Sequence, residues 1–139
     1  MIEGISHITL IVSDLEKSKR VVTDILGGKE IYDGSVKNFS LSKEKFFDVS
    51  GLWLVLMEGT VQIEKTYNHI AFNIQEKDLL TAEKSIRKLG LEIKSSRPRI
   101  TGEGQSLYFY DYDNHLFELH TGTLTERLEH YHRIVETET

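Results

Sequence analysis

The sequence predicts an α+β domain made of two tandem βαβββ repeats, and three observations carry that prediction. A His-Ile pair heads an alternating apolar stretch twice, in Ile5-Ser6-His7-Ile8-Thr9-Leu10-Ile11-Val12 and in Tyr67-Asn68-His69-Ile70-Ala71-Phe72-Asn73-Ile74. Each stretch is followed by residues at helical spacing that stop at a glycine, Gly27 in one case and Gly90 in the other. Further on, Trp53-Leu54-Val55-Leu56-Met57-Glu58-Gly59-Thr60 aligns with Leu116-Phe117-Glu118-Leu119-His120-Thr121-Gly122-Thr123 through the shared Gly-Thr pair. A period of about sixty residues is too long for a solenoid unit and suits a duplicated half-domain. The expected halves are 1–60 and 66–123 of one domain, with 124–139 forming a C-terminal helix and tail.

In chain order, the first strand and helix span about Ile5 to Leu26. Ser13-Asp14-Leu15-Glu16 reads as a capping box, followed by Leu15, Ser18, Val22 and Ile25 on one face. Strand-like runs follow at Lys29–Tyr32, Phe39–Ser42 and Leu52–Met57. Lys43-Glu44-Lys45-Phe46-Phe47 reads as a charged segment running into two aromatics, and Gly59–Lys65 as the link between halves. In the second half Leu79, Ala82, Ile86 and Leu89 hold the helical spacing, and Leu91–Lys94 is a strand. A loop, Ser95–Gly104, carries the only proline, Pro98. Strands Leu107–Asp111 and His115–His120 flank the turn residues Asp111-Tyr112-Asp113-Asn114. Thr123-Leu124-Thr125-Glu126 opens a last helix that frays into a polar tail.

Composition narrows the function classes. The 139 residues suffice for one domain with a real core. A net charge of −5 argues against nucleic acid as a partner, because phosphate binding needs clustered cations. With no cysteine there is no disulfide, thiolate ligand or cysteine nucleophile. No stretch resembles a signal peptide or is long enough to span a bilayer, so a cytoplasmic protein without a membrane partner is expected.

Strand alternation puts Tyr67, His69, Ala71 and Asn73 on one face, with Asn68, Ile70, Phe72 and Ile74 on the other. A lone strand histidine is commonly structural, but here it recurs at an equivalent position. Glu118 lies in an otherwise apolar strand, where a carboxylate is costly unless paired or bound to metal. Val55 takes its place in the first half. His7, His69 and Glu118 thus form a set of two histidines and one carboxylate, which leaves coordination positions open for substrate.

The duplicated pattern with His7, His69 and Glu118 resembles the vicinal oxygen chelate superfamily. More narrowly, Ile2-Glu3-Gly4, Ser40–Phe47, Tyr67–Phe72, Tyr108–Asp111 and Phe117–Leu124 resemble the fosfomycin-resistance proteins, nearest to their epoxide-hydrolase branch, FosX. The resemblance covers the chain up to Arg133. It implies Mn2+ held by His7, His69 and Glu118, fosfomycin as substrate, and addition of water to its oxirane to give a diol. It assigns Glu44 as the general base, although Lys43-Glu44-Lys45 alone reads more readily as a solvated loop. It matches Tyr108 and Arg127 to residues at the substrate, although an exposed helix arginine is the commoner reading of Arg127 alone. By strand parity Thr9 shares a face with His7, Tyr67 with His69 and Ser106 with Tyr108, which suits hydrogen bonding to substrate; Thr9 and Tyr67 read equally as walls of a polar cavity. Pro98 and Gly102 depart from the lysine and serine of the thiol-transferase branch, and Arg99 is the candidate for replacing the lost charge. His115, His120, His130 and His132 are expected at the surface or behind the site. The resemblance also implies a homodimer that exchanges repeats to build composite sites.

Three other activities share features of this pattern. A fosfomycin thiol transferase would consume glutathione, bacillithiol or cysteine. An extradiol dioxygenase would use the same ligand types with Fe(II) and O2, and a drug-binding module would need no metal. Tyr108 and Glu118 are expected on one face, which requires an odd-numbered hairpin loop with Asn114 suited to a left-handed conformation.

Overall fold

The computed structural model describes residues 1–37, 39–61, 64–95 and 97–138. Its strands are β1 (His7–Val12), β2 (Lys29–Asp33), β3 (Glu44–Val49), β4 (Leu52–Glu58), β5 (His69–Asn73), β6 (Ile93–Lys94), β7 (Ser106–Tyr110) and β8 (Leu116–His120). Its helices are α1 (Leu15–Arg20), which runs on as a π-helical turn over Val21–Ile25, α2 (Leu79–Lys88) and α3 (Leu124–Glu138). The strands form two four-stranded sheets, ordered β1-β4-β3-β2 and β5-β8-β7-β6. In each, the first strand runs parallel to the last and the remaining pairings are antiparallel. The α+β architecture is as expected, and the second sheet repeats the order of the first.

One face of each sheet is apolar and packs on helices. Val12, Leu15, Val22, Phe47, Val49, Leu54 and Leu56 form the core of the first sheet. Ala82, Ile86, Phe109, Phe117 and Leu119 form that of the second, joined by Val21 from the first half. Leu10, Leu26 and Phe72 touch both cores, so the two sheets share one apolar seam. Val12 is fully buried while Ile11 beside it is exposed, the alternation of a strand covered on one side only. Helix ends follow the glycine signals: Gly27 and Gly90 have φ of +68° and +71°, conformations that glycine adopts without a Cβ clash.

Four expectations need correction. Phe39–Ser42 is not a strand; Phe39 and Leu41 are exposed in a bend, and the strand is β3, which contains the charged segment. Its alternation is Lys45, Phe47 and Val49 toward the core, with Glu44, Phe46 and Asp48 on the opposite face. The capping residue of α1 is Asp14, whose Oδ1 accepts from the Lys17 backbone N–H at 3.0 Å. Ser13 instead donates to Asp113, its hydroxyl at 2.7 Å and its backbone N–H at 3.2 Å, clasping the first half to the β7–β8 hairpin. The C-terminal segment does not fray but stays helical to Glu138. Gln62 and Ile63 of the expected link, and Ser96 of the expected loop, lie outside the described residues. No helix among the described residues is long and apolar enough to cross a membrane.

Lys45 shows why a charged run became a strand. It is only 1% exposed, and its Nζ lies 2.8 Å from Glu30, 3.1 Å from Glu16 and 3.1 Å from Asp33. Burial alone would lower the lysine, but the three carboxylates outweigh it and keep it charged. Hydrogen bonds from Ser35 and Lys45 hold Asp33 at about 2, and Lys45 also lowers Glu30. Both carboxyls titrate below their unfolded values near ~4. Their stabilisation is therefore present above about pH 4 and is lost as pH falls below it, for Asp33 toward about 2. Lys45→Met should cost about 2 kcal/mol at neutral pH, less than a fully buried pair because its partners are partly exposed. It should also flatten the acid limb of a melting-temperature profile. Urea unfolding at pH 7 and melts across the acid range check both.

Candidate metal centre and active site

The parallel pairing of β5 with β8 sets Ala71 against Glu118, which makes His69 and Glu118 diagonal neighbours on one face. His69 Nε2 lies 3.0 Å from Glu118 Oε1. The His69 Nδ1 is 2.6 Å from the Tyr67 carbonyl oxygen, so the hydrogen-bond pattern assigns the proton there and leaves the Nε2 lone pair toward the carboxylate. Two acceptor atoms at that distance require a proton or a cation between them. The donor set, imidazole nitrogen plus carboxylate oxygen, fits a divalent ion.

Glu118 is buried, and three groups surround its second oxygen. Ser106 Oγ donates to Oε2 at 2.6 Å, while His120 Nδ1 and Arg99 Nη2 lie 3.2 and 3.5 Å away. Tyr108 adds a hydrogen bond. Burial pushes the carboxyl up, but the Ser106 and Tyr108 hydrogen bonds and the charges nearby hold it below its ordinary value. Tyr108 pairs directly with Glu118 across β7–β8, and the loop between these strands spans the five residues 111–115 with Asn114 at φ +67°. Both features agree with the odd-loop expectation.

Arg99 donates to the Tyr108 hydroxyl at 2.8 Å, and Tyr67 places its own hydroxyl 3.1 Å from the same oxygen. Desolvation and the hydrogen bonds with Tyr67 and Glu118 raise Tyr108 against the opposing charge of Arg99, which keeps it protonated as a donor. Arg99 Nε is buried without a hydrogen-bond partner among the described residues, a donor left over for an anion. The loop that carries Arg99 is fastened by buried Glu103, which pairs with Arg97, accepts from the Ile100 N–H at 2.9 Å, and accepts from Tyr131 of α3 at 2.7 Å. Arg127, in the first turn of α3, has Nη2 3.3 Å from His120 Nε2. Tyr67, His69, Arg99, Ser106, Tyr108, Glu118 and Arg127 are thus gathered on the second sheet.

The remaining three expected residues are on the first sheet. His7 stands opposite Trp53, Thr9 opposite Val55, and Glu44 opposite Met57, all on the face away from the core. His7 stacks against Trp53 with ring centroids 4.3 Å apart, and its Nδ1 is 3.0 Å from Ser6 Oγ. Glu44 is buried in β3, yet its carboxylate has no hydrogen-bond or ion-pair partner among the described residues. Among those residues no group of three His, Cys, Asp or Glu side chains is arranged to hold a metal ion within the chain. The chain brings together two of the three expected ligands and holds His7 apart.

His120 is the residue that sequence reasoning missed. It was expected at the surface or behind the site, yet it contacts Ser106, Glu118 and Arg127 at once. The signal was available, because residues two apart on a strand share a face and His120 follows Glu118 by two.

Residues 4–119 match the model of the glyoxalase/bleomycin resistance protein/dioxygenase superfamily. The fosfomycin resistance protein FosX of Listeria monocytogenes is 57% identical over 132 residues, covering 95% of this chain and 99% of the relative. The chain belongs to this superfamily, in its FosX branch. A crystal structure of a glutamate-to-glutamine variant of Listeria FosX, complexed with Mn(II) and 1S,2S-dihydroxypropylphosphonic acid, superimposes with a TM-score of 0.85 at 53% identity. It covers 94% of this chain and 99% of that one. The metallothiol transferase FosB of Bacillus licheniformis is more distant, at 37% identity over 92% of this chain and 81% of that protein. Among these comparisons the FosX proteins stand nearer than the transferase.

Proposed function

We propose that this protein is a Mn2+-dependent epoxide hydrolase that inactivates fosfomycin by adding water to its oxirane. The observation that carries the reading is the second-sheet site: a buried, ionised carboxylate beside an imidazole lone pair, with two arginines close by. The diol phosphonate bound with Mn(II) in the FosX crystal structure is what hydration of an epoxypropylphosphonate yields, and a thiol adduct is not. Closer identity to FosX than to FosB favours water over a thiol as the nucleophile.

In this reading His69 and Glu118 hold the ion together with His7, and the bound ion supplies Lewis-acid polarisation of the epoxide. Arg99 and Arg127 anchor the phosphonate, for which an arginine fork is well shaped. Tyr108, kept protonated, donates to a substrate oxygen, with Tyr67, Ser106 and Thr9 as further hydrogen-bonding neighbours. Glu44 takes the proton of the attacking water, whose oxygen bonds to the oxirane carbon bearing phosphorus as that carbon's bond to the ring oxygen breaks; the opened ring oxygen takes up a proton and the diol results. The halves 1–60 and 66–123 act as duplicated units, followed by 124–139, and the compartment of this reading is the cytoplasm.

The separation of His7 from His69 and Glu118 supports a homodimer with exchanged repeats. His7, Thr9 and Ile11 lie exposed on the first sheet beside Trp53, which is 38% exposed. A second chain that covers this face with its own second sheet would bury the apolar residues and complete the ligand set.

Replacing His69 with Ala should weaken Mn2+ binding at least about 100-fold and abolish turnover with it, since loss of even an outer partner typically costs 10–100-fold. Titration followed by the signal of free Mn2+ reads the first effect. The activity itself is tested by phosphorus NMR of fosfomycin with protein and Mn2+. A diol phosphonate that forms at the same rate with and without thiols is expected. Product that appears only with glutathione, bacillithiol or cysteine would make the protein a transferase.

A further inference from the structure

We infer that His120 is a positioning residue for this reaction: through Ser106 it orients the Glu118 carboxylate, and through its other ring nitrogen it seats Arg127. The inference rests on the metal-site reading above. Its basis is a continuous hydrogen-bond line across the face of the second sheet. Arg127 Nη2 lies 3.3 Å from His120 Nε2, His120 Nδ1 lies 2.7 Å from Ser106 Oγ, and Ser106 Oγ lies 2.6 Å from Glu118 Oε2. β8 supplies Glu118 and His120, and β7 supplies Ser106 directly opposite His120.

Only one proton arrangement satisfies every member. An arginine nitrogen can only donate, so His120 Nε2 must accept and the imidazole proton sits on Nδ1. Nδ1–H then donates to Ser106 Oγ, which frees the Ser106 proton for Glu118 Oε2. The opposite tautomer would set an N–H against the guanidinium and a lone pair 3.2 Å from the carboxylate. The line therefore runs one way, from arginine through imidazole and hydroxyl to carboxylate.

Two consequences follow for the chain's own groups. Oε2 is occupied by Ser106, which leaves Oε1, the oxygen facing His69, as the atom free for an ion. The arginine assigned to the phosphonate is held by the same imidazole that supports the carboxylate assigned to the metal. Partners of this kind that orient a ligating carboxylate are worth about 10–100-fold in metal affinity.

The two arms separate by substitution. His120→Asn retains an amide N–H where Nδ1–H stood but does not reach Arg127; His120→Leu removes both arms. The expected result for His120→Leu is a loss of about 10-fold in Mn2+ affinity, read from free Mn2+ without any turnover, together with a raised KM for fosfomycin. His120→Asn should keep Mn2+ affinity within about threefold of the parent and still show the raised KM, because only the arginine arm is cut. Parent-like Mn2+ affinity and KM in His120→Leu would overturn the inference. So would equal loss of Mn2+ affinity in both variants, which would make His120 a packing residue. Glu118→Ala is the control: if it binds Mn2+ like the parent, the metal-site reading itself fails, whereas loss there with no effect in His120→Leu removes only the positioning role.

Discussion

Glu44→Gln should slow fosfomycin hydration by about 10²- to 10⁴-fold, the usual worth of a positioned general base, while Mn2+ affinity stays within about twofold of the parent. The expected split comes from where Glu44 stands. It is on β3, opposite Met57, on the face that also carries His7 and Thr9, and it is not one of the three proposed ligands. Its backbone carbonyl accepts from the Gly34 N–H at 2.7 Å, a bond that the substitution leaves in place. The glutamine amide fills the same volume, so folding should be unchanged. Its side chain has no partner among the described residues, so no ion pair is broken by neutralising it. A carboxylate that is buried and unpaired is available to take a proton from water. Single-turnover phosphorus NMR with Mn2+ present reads the rate, and free Mn2+ reads the affinity. Turnover like that of the parent would remove Glu44 as the base. A matching loss of Mn2+ would make it a ligand instead.

The parts of this fold that were legible in the sequence are those written by local rules. Gly27 and Gly90 end helices because each needs a positive φ, and Asn114 turns the last hairpin for the same reason. The strands that begin at His7 and His69 alternate visibly, and each pairs in parallel with the strand aligned by the Gly-Thr match, His7 with Trp53 and His69 with Leu116. That register places Val55 beside Thr9 and Glu118 beside Ala71, so the aligned positions do correspond in space. What was not legible depends on partners distant in sequence. Lys45 looks solvated until Glu16, Glu30 and Asp33 arrive from α1 and β2 to surround it. Without them β3 reads as a charged loop, and the alternation in Phe39–Ser42 is mistaken for the strand. Ser13 looks like part of a helix cap until Asp113, from the far end of the chain, claims its hydroxyl. His120 was within reach of strand parity, but its role depends on Ser106 and Arg127, which parity alone does not bring together.

Mixing two inactive variants should restore activity. The proposed ligands are divided between the sheets, with His7 on the first and His69 and Glu118 on the second, and within one chain they do not converge. If a C2 dimer sets the first sheet of one protomer against the second sheet of its partner, each site takes His7 from one chain and His69 with Glu118 from the other. Dimers of His7→Ala alone then lack His7 at both sites, and dimers of Glu118→Ala alone lack the carboxylate at both. A mixed dimer has one site with every ligand intact and one site with both defects. Equal amounts refolded together give mixed dimers for about half the population, so about a quarter of all sites become active by symmetry. Mn2+ binding should recover in the same proportion, about one tight ion per mixed dimer, and this reading does not depend on turnover. The magnitude distinguishes assembly from leakage, because neither parent variant contributes activity and recovery scales with the product of the two fractions. Sites completed within a single chain would recover nothing at any ratio, and that result would end the exchanged-repeat model while leaving the fold and the second-sheet site as they are.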